Sequence, residues 1–98
     1  MNIKLETNGA EALITLEGRL DTLNSPELEE IVKTGLEGVT DLTLDFAGVD
    51  YVSSAGLRVL LCAQKKMNAC GSMRLRNVCP MIAEIFEVTG FNEILTVE

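Results

Sequence analysis

The sequence predicts a single α/β domain over residues 1–98, with a mixed sheet of four to five strands packed with about three to four helices. Three observations support this. Runs with an apolar residue at every second position alternate with runs of helical period. One tight turn joins the first two strand-like runs, whereas single helices separate the later ones, and strands joined through a helix lie parallel. Finally, 98 residues are enough for one core and too few for two.

In chain order, NIKLET (2–7) alternates apolar and polar, with Ile3 and Leu5 on one face. Asn8-Gly9 is a strong tight-turn signal, and ALITLEGRL (12–20) resumes the alternation through Leu13 (or Ala12), Ile14 and Leu16. Together they predict a hairpin. NSPELEEIVKTGLEG (24–38) predicts the first helix. Ser25 is a good N-cap, Pro26 suits the first helical position, and Glu27, Glu29 and Glu30 complement the positive end of the helix dipole. Leu28, Ile31, Val32 and Leu36 form one stripe, with Gly38 as the stop.

DLTLDF (41–46) is a third strand and AGVDYV (47–52) a short connection. From Ser54 the period is helical, with Leu57, Leu60, Leu61 and Met67 on one face and Arg58, Lys65, Lys66 and Asn68 largely elsewhere. Gly71 lies where a C-cap glycine is expected. SMRLRNV (72–78) gives a fourth strand. CPMIAEIFEVTG (79–90) gives a third helix, with Pro80 near its first turn, a stripe of Ile82, Ile85 and Phe86, and Gly90 closing it. EILTVE (93–98) is a final strand. Leu44, Leu57, Leu61, Ile82 and Phe86 are expected among the core residues.

Composition excludes several classes of function. A net charge of −7 repels phosphate backbones, so no direct nucleic acid partner is expected. No apolar run approaches the roughly 20 residues of a membrane span, so no membrane partner is expected. The first residues, MNIKLETNGAEA, lack the apolar core of a signal peptide, which predicts a cytoplasmic protein. Cys62, Cys70 and Cys79 are odd in number and lie in apolar surroundings, so they read as reduced core or near-surface thiols. With no histidine and no CxxC pair, nothing implies a metal site. No cofactor is implied either.

The absence of histidine also excludes Ser-His and Cys-His catalysis. No phosphate-binding loop or GxGxxG occurs. Asp21 and Asp45 lie at or near the ends of predicted strands, where the general preferences of aspartate favour a turn or cap. No catalytic residue is assigned, and the chain reads as a non-enzyme.

What remains is GVDYVSSAGLRVLL (48–61), where Ser53 and Ser54 stand between a strand-like and a helix-like run. A serine before a helix is ordinarily its cap. Here two are present where one cap suffices. Gly56 follows in the first turn, although glycine costs a helix roughly 1 kcal/mol relative to alanine. The sequence therefore predicts a small-residue turn with an accessible hydroxyl and a backbone open to close approach.

LTLDFAGVDYVSSAGLRVLL (42–61) resembles the segment around the phosphorylated serine in STAS domains, specifically bacterial anti-sigma factor antagonists. EGRLDTLNSPELE (17–29) is similar to that family's turn before its first helix, and EIFEVTGFNEIL (84–95) to its last helix, glycine and closing strand. The resemblance spans nearly the whole chain in order. It implies that Ser54, two residues before Gly56, is the phosphoacceptor. Ser53 stands where many relatives carry aspartate, and Ala55 where a serine or threonine is frequent. Asp21 matches a family aspartate bordering the same surface, and Asp45 an acidic or amide position ending the third strand.

The implied mechanism is a partner switch. The unmodified protein binds an anti-sigma factor that is also a serine kinase, freeing a sigma factor. Phosphate on Ser54 ends the complex, and a serine phosphatase resets it. Strand-end loops of an α/β domain emerge on one edge, so Asp21, Thr22, Asn24, Ser53, Ser54, Gly56 and Arg58 are expected to form the partner-binding surface. Two alternatives stand beside this. One is a STAS scaffold that is never phosphorylated, such as an accessory subunit of a lipid transporter ATPase or part of a larger signalling assembly. The other is a small enzyme working without histidine.

Overall fold

Asn8 and Glu11 face each other across the first hairpin, leaving Gly9 and Ala10 as its two-residue turn. Gly9 takes φ +63, the left-handed value that such a turn needs at its first central position. In the computed structural model, which describes residues 1–98, this turn joins β1 (Asn2–Asn8) to β2 (Glu11–Leu20). Then follow α1 (Ser25–Thr34), β3 (Asp41–Val52), α2 (Ser54–Cys70), β4 (Ser72–Arg76) and α3 (Pro80–Thr89), with a 3-10 turn at Phe91–Glu93. The sheet has four strands in the order β1-β2-β3-β4; β1 is antiparallel to β2, and β2, β3 and β4 are parallel. The predicted α/β class, mixed sheet and three helices are all present.

One face of the sheet is apolar. Ala12, Ile14 and Leu16 of β2, Leu42, Leu44 and Phe46 of β3, and Met73 and Leu75 of β4 are buried. The helices close over this face with Leu28 and Val32 from α1, Val59, Leu60, Ala63 and Met67 from α2, and Ile82 and Phe86 from α3, all in one cluster. Each fully buried large side chain contributes about 1.5–3 kcal/mol, so this single layer holds the fold. On the opposite face, Arg74 pairs with Asp41 at 2.9 Å and Arg76 with Asp45 at 3.4 Å.

Several sequence expectations change. Leu57 and Leu61 are only partly buried, whereas Leu44, Ile82 and Phe86 are in the core. The inner line of α2 instead runs through Gly56, Leu60, Ala63 and Met67, because Gly56 is the residue seated against the sheet and the leucines flank it. AGVDYV is not a connection but the second half of β3. Two register shifts against β2 bring Phe46, Val49 and Val52 inward at intervals of three and erase the alternation that marks a strand.

α1 begins at Ser25 with Asn24 in the cap position, and it stops at Thr34 rather than near Gly38. The following loop turns Leu36 and Val39 into the core. EILTVE forms no fifth strand. Ile94 and Leu95 donate backbone hydrogen bonds to Phe91, finishing the 3-10 turn, and only Val97 bridges Leu75 beyond it. None of the three thiols joins the core: Cys62 and Cys70 are exposed and Cys79 is half-buried.

Candidate functional site

The carboxyl ends of β2 and β3 lie side by side, with Leu20 opposite Val52. Each strand then leaves the sheet through a polar turn. Leu20 ties the two turns together, since its carbonyl accepts the Ser53 N–H at 2.9 Å. Gly56 packs on the same carbonyl. A Cβ there would stand 2.7 Å from Leu20 O, 2.9 Å from Leu20 Cγ and 3.1 Å from Val52 Cγ1. The glycine was expected to open the backbone to a partner; it is buried, and its missing side chain lets α2 rest on the strand ends instead.

The two serines divide their work. Ser53 is the N-cap of α2, extended at φ −87, ψ 174, and its hydroxyl accepts the Gly56 N–H at 3.2 Å. Its carbonyl also accepts the Leu57 N–H at 2.9 Å, starting the helix. Ser54 is the first helical residue and is exposed. Its hydroxyl forms no hydrogen bond within the protein. A hydroxyl at the helix start that caps nothing is free to react or to meet another molecule.

Across from it, the turn Asp21–Asn24 is internally cross-braced. One Asp21 carboxylate oxygen accepts the amides of Leu23 and Asn24, both at 3.1 Å, an arrangement typical of aspartate turns. The other lies 3.8 Å from Arg19 Nε. Asn24 Nδ2 donates to Arg19 O at 2.9 Å, and both the hydroxyl and the amide of Ser25 donate to Asp21 O. Ser25, 2% exposed, is therefore the buried foot of the turn rather than the cap of α1. Thr22 is exposed at the tip, as is Arg58 one helical turn beyond Ser54.

The fold thus brings Asp21, Thr22, Asn24, Ser53, Ser54 and Arg58 to one edge, with Gly56 beneath them. Three residues there escaped the sequence reading. Leu23 is 88% exposed at the turn tip, and Tyr51 is 40% exposed on β3. Arg19 lies opposite Tyr51 in the ladder and sets its guanidinium 4.1 Å from the ring centroid, a cation–π contact. Leu23 sat in a stretch with no period, and Tyr51 sat in the segment taken for a connection, so neither carried a signal.

Asp45 lies apart from this cluster by its bonding. It accepts from Ala47 N at 3.0 Å and Asn77 Nδ2 at 3.1 Å, and from Arg76 at 3.4 Å. The Ala47 amide above all, then Asn77 and Arg76, hold its carboxyl below the usual value, against a smaller opposing effect of burial. It pins the bulge of β3 to the turn after β4, where Asn77 is left-handed at φ 59. No three His, Cys, Asp or Glu side chains converge in a way that could hold a metal ion. No helix is long and apolar enough to cross a membrane.

Comparison with known proteins gives a consistent set of likenesses. The family model described as "Mlab, STAS domain" matches residues 3–96. The anti-sigma-B factor antagonist of Staphylococcus epidermidis is 30% identical over 101 residues, covering 99% of this chain and 94% of that protein. Among solved structures, the unphosphorylated form of the anti-sigma factor antagonist SpoIIAA superposes with a TM-score of 0.79 at 20% identity, over 99% of this chain and 87% of that one. The phosphorylated form of Bacillus SpoIIAA gives 0.78 at 21% identity, over 99% and 91%.

Proposed function

Because this chain is a STAS domain protein of the bacterial anti-sigma factor antagonist family, we propose that it works as a phosphorylation-controlled antagonist whose switch is Ser54. Unmodified, it docks through the Asp21–Asn24 turn and the start of α2 onto an anti-sigma factor with serine kinase activity, in the cytoplasm, and so frees a sigma factor. The kinase then transfers the γ-phosphoryl group of ATP. The bond from Ser54 Oγ to phosphorus forms as the β–γ bridge breaks, ADP departs, and the hydroxyl proton passes to a base on the kinase. The complex separates, and a serine phosphatase restores the hydroxyl.

One observation carries this reading: the exposed hydroxyl of Ser54 is spared from capping because Ser53 caps the helix. Phosphate adds about −1.5 to −2 charges and three acceptor oxygens at pH 7. At a helix start, the dipole accommodates that charge, so the domain stays folded. At a fitted interface the same group must be desolvated and has no room, so docking fails. Binding is switched without unfolding.

The test is incubation with a cognate kinase and ATP, followed by phosphopeptide mapping. Phosphate on Ser54, lost in Ser54→Ala while that variant still binds the partner, is the expected result. Phosphate on Ser53 alone would overturn the assignment. None on either serine would leave the unphosphorylated scaffold.

A further inference from the structure

Arg58 stands four residues after Ser54 on α2, on the same helical face, where Cβ atoms lie about 5–6 Å apart. It is exposed and has no carboxylate within ion-pairing distance. The charged groups nearest in sequence to the two turns of this edge are Arg19 and Asp21 at and just after the end of β2, Asp50 in β3 and Glu27 in the first turn of α1. Arg19 is engaged by the Tyr51 ring and by Asp21. Asp21 is in turn held by two amides. Arg58 is thus the uncommitted cation beside the serine.

We propose that Arg58 is the intramolecular ligand of a phosphate on Ser54, so that phosphorylation also withdraws a positive charge from the docking edge. This rests on the reading of Ser54 as the phosphoacceptor. A guanidinium forks two N–H donors toward phosphate oxygens, and the order acid-then-base at i, i+4 is the favourable one on a helix. An edge that offered an unpaired cation to a partner then offers a neutralised pair carrying surplus negative charge. A partner that reads Arg58 with a carboxylate is refused twice, by loss of its counter-charge and by repulsion from the phosphate.

The experiment uses the full chain with phosphoserine installed at position 54 during translation, so no kinase is required. Phosphorus NMR titration compares that protein with its Arg58→Gln and Arg58→Lys variants. A nearby cation favours the phosphate dianion, so its second ionisation should lie about 0.3 of a pH unit lower with arginine than with glutamine. Lysine should restore part of the shift, and 1 M salt should shrink it as the screening length falls to about 3 Å. The Arg58 Nε–Hε resonance should also move when residue 54 carries phosphate. Equal titration midpoints in all three proteins, or an unmoved Arg58 resonance, would overturn the proposal. Failure of the kinase to modify Ser54 would overturn the functional reading instead, and this titration would be unaffected by it.

Discussion

Replacing Ser53 and Ser54 by alanine, one at a time, should separate structure from signalling. Ser53→Ala removes the only side-chain acceptor of the Gly56 N–H. That amide belongs to a buried residue pressed on Leu20 and Val52, so solvent replaces the lost bond poorly. A lost cap typically costs about 0.5–2 kcal/mol, and an unsatisfied buried donor about 1–3 kcal/mol, which together point to roughly 1–2 kcal/mol here. In a domain of this length that lowers the melting midpoint by about 5–10 °C. Ser54→Ala removes a solvated hydroxyl with no partner and gains helix propensity, so its stability should stay within about 0.5 kcal/mol of the parent. Urea titrations followed by circular dichroism, with the slope unchanged, measure both. Equal destabilisation by the two variants would refute the division of labour between the serines.

Three other outcomes follow from the same geometry. Gly56→Ala should destabilise the fold by about 1–3 kcal/mol, because its Cβ would press on the Leu20 carbonyl at 2.7 Å; chemical denaturation measures it. Asp21→Ala should lose about 1 kcal/mol, since the amides of Leu23 and Asn24 lose their acceptor, and Asp21→Asn should retain most of the stability because it keeps an oxygen there. Asp45 titrates below its ordinary value in the folded protein, so it stabilises the fold above the unfolded-state value near 3.8 and loses that contribution as pH falls through the lower folded value. Acid unfolding curves of Asp45→Asn should therefore be less steep than those of the parent below about pH 4.

Local chemistry was legible in the sequence wherever it is self-contained. The helix starts near Ser25 and Pro80 follow from the preference of proline for the first helical turn, and the start near Ser54 from the Ser53 cap, all of which act within one turn. Register is set across strands, and there the reading failed. The two bulges of β3 answer to its pairing with β2, so a strand of Asp41–Val52 looked like a strand and a loop. The phase of α2 was misjudged because a glycine carries no apolar signal even when it is the innermost residue of its turn. At the site, the Ser53–Ser54 pair before Gly56 stood out by type and spacing, and the family resemblance singled out Ser54 and Asp21. Leu23 and Tyr51 did not, since a lone apolar residue is informative only once it is found in solvent.

The hydrogen bond from Ser53 to the Leu20 carbonyl, with Gly56 packed on the same atom, joins the Asp21 turn and the start of α2, so on the proposed reading they arrive at a partner as one unit. Docking then orders few loops, and little conformational entropy is given up on association. Encounter rates for such preformed surfaces fall in the usual range of about 10⁵–10⁷ per molar per second and vary less among variants of one interface than affinities do. On the proposed reading, phosphate therefore acts on residence time. The modified and unmodified proteins then differ more in how soon they leave their partner than in how often they meet it.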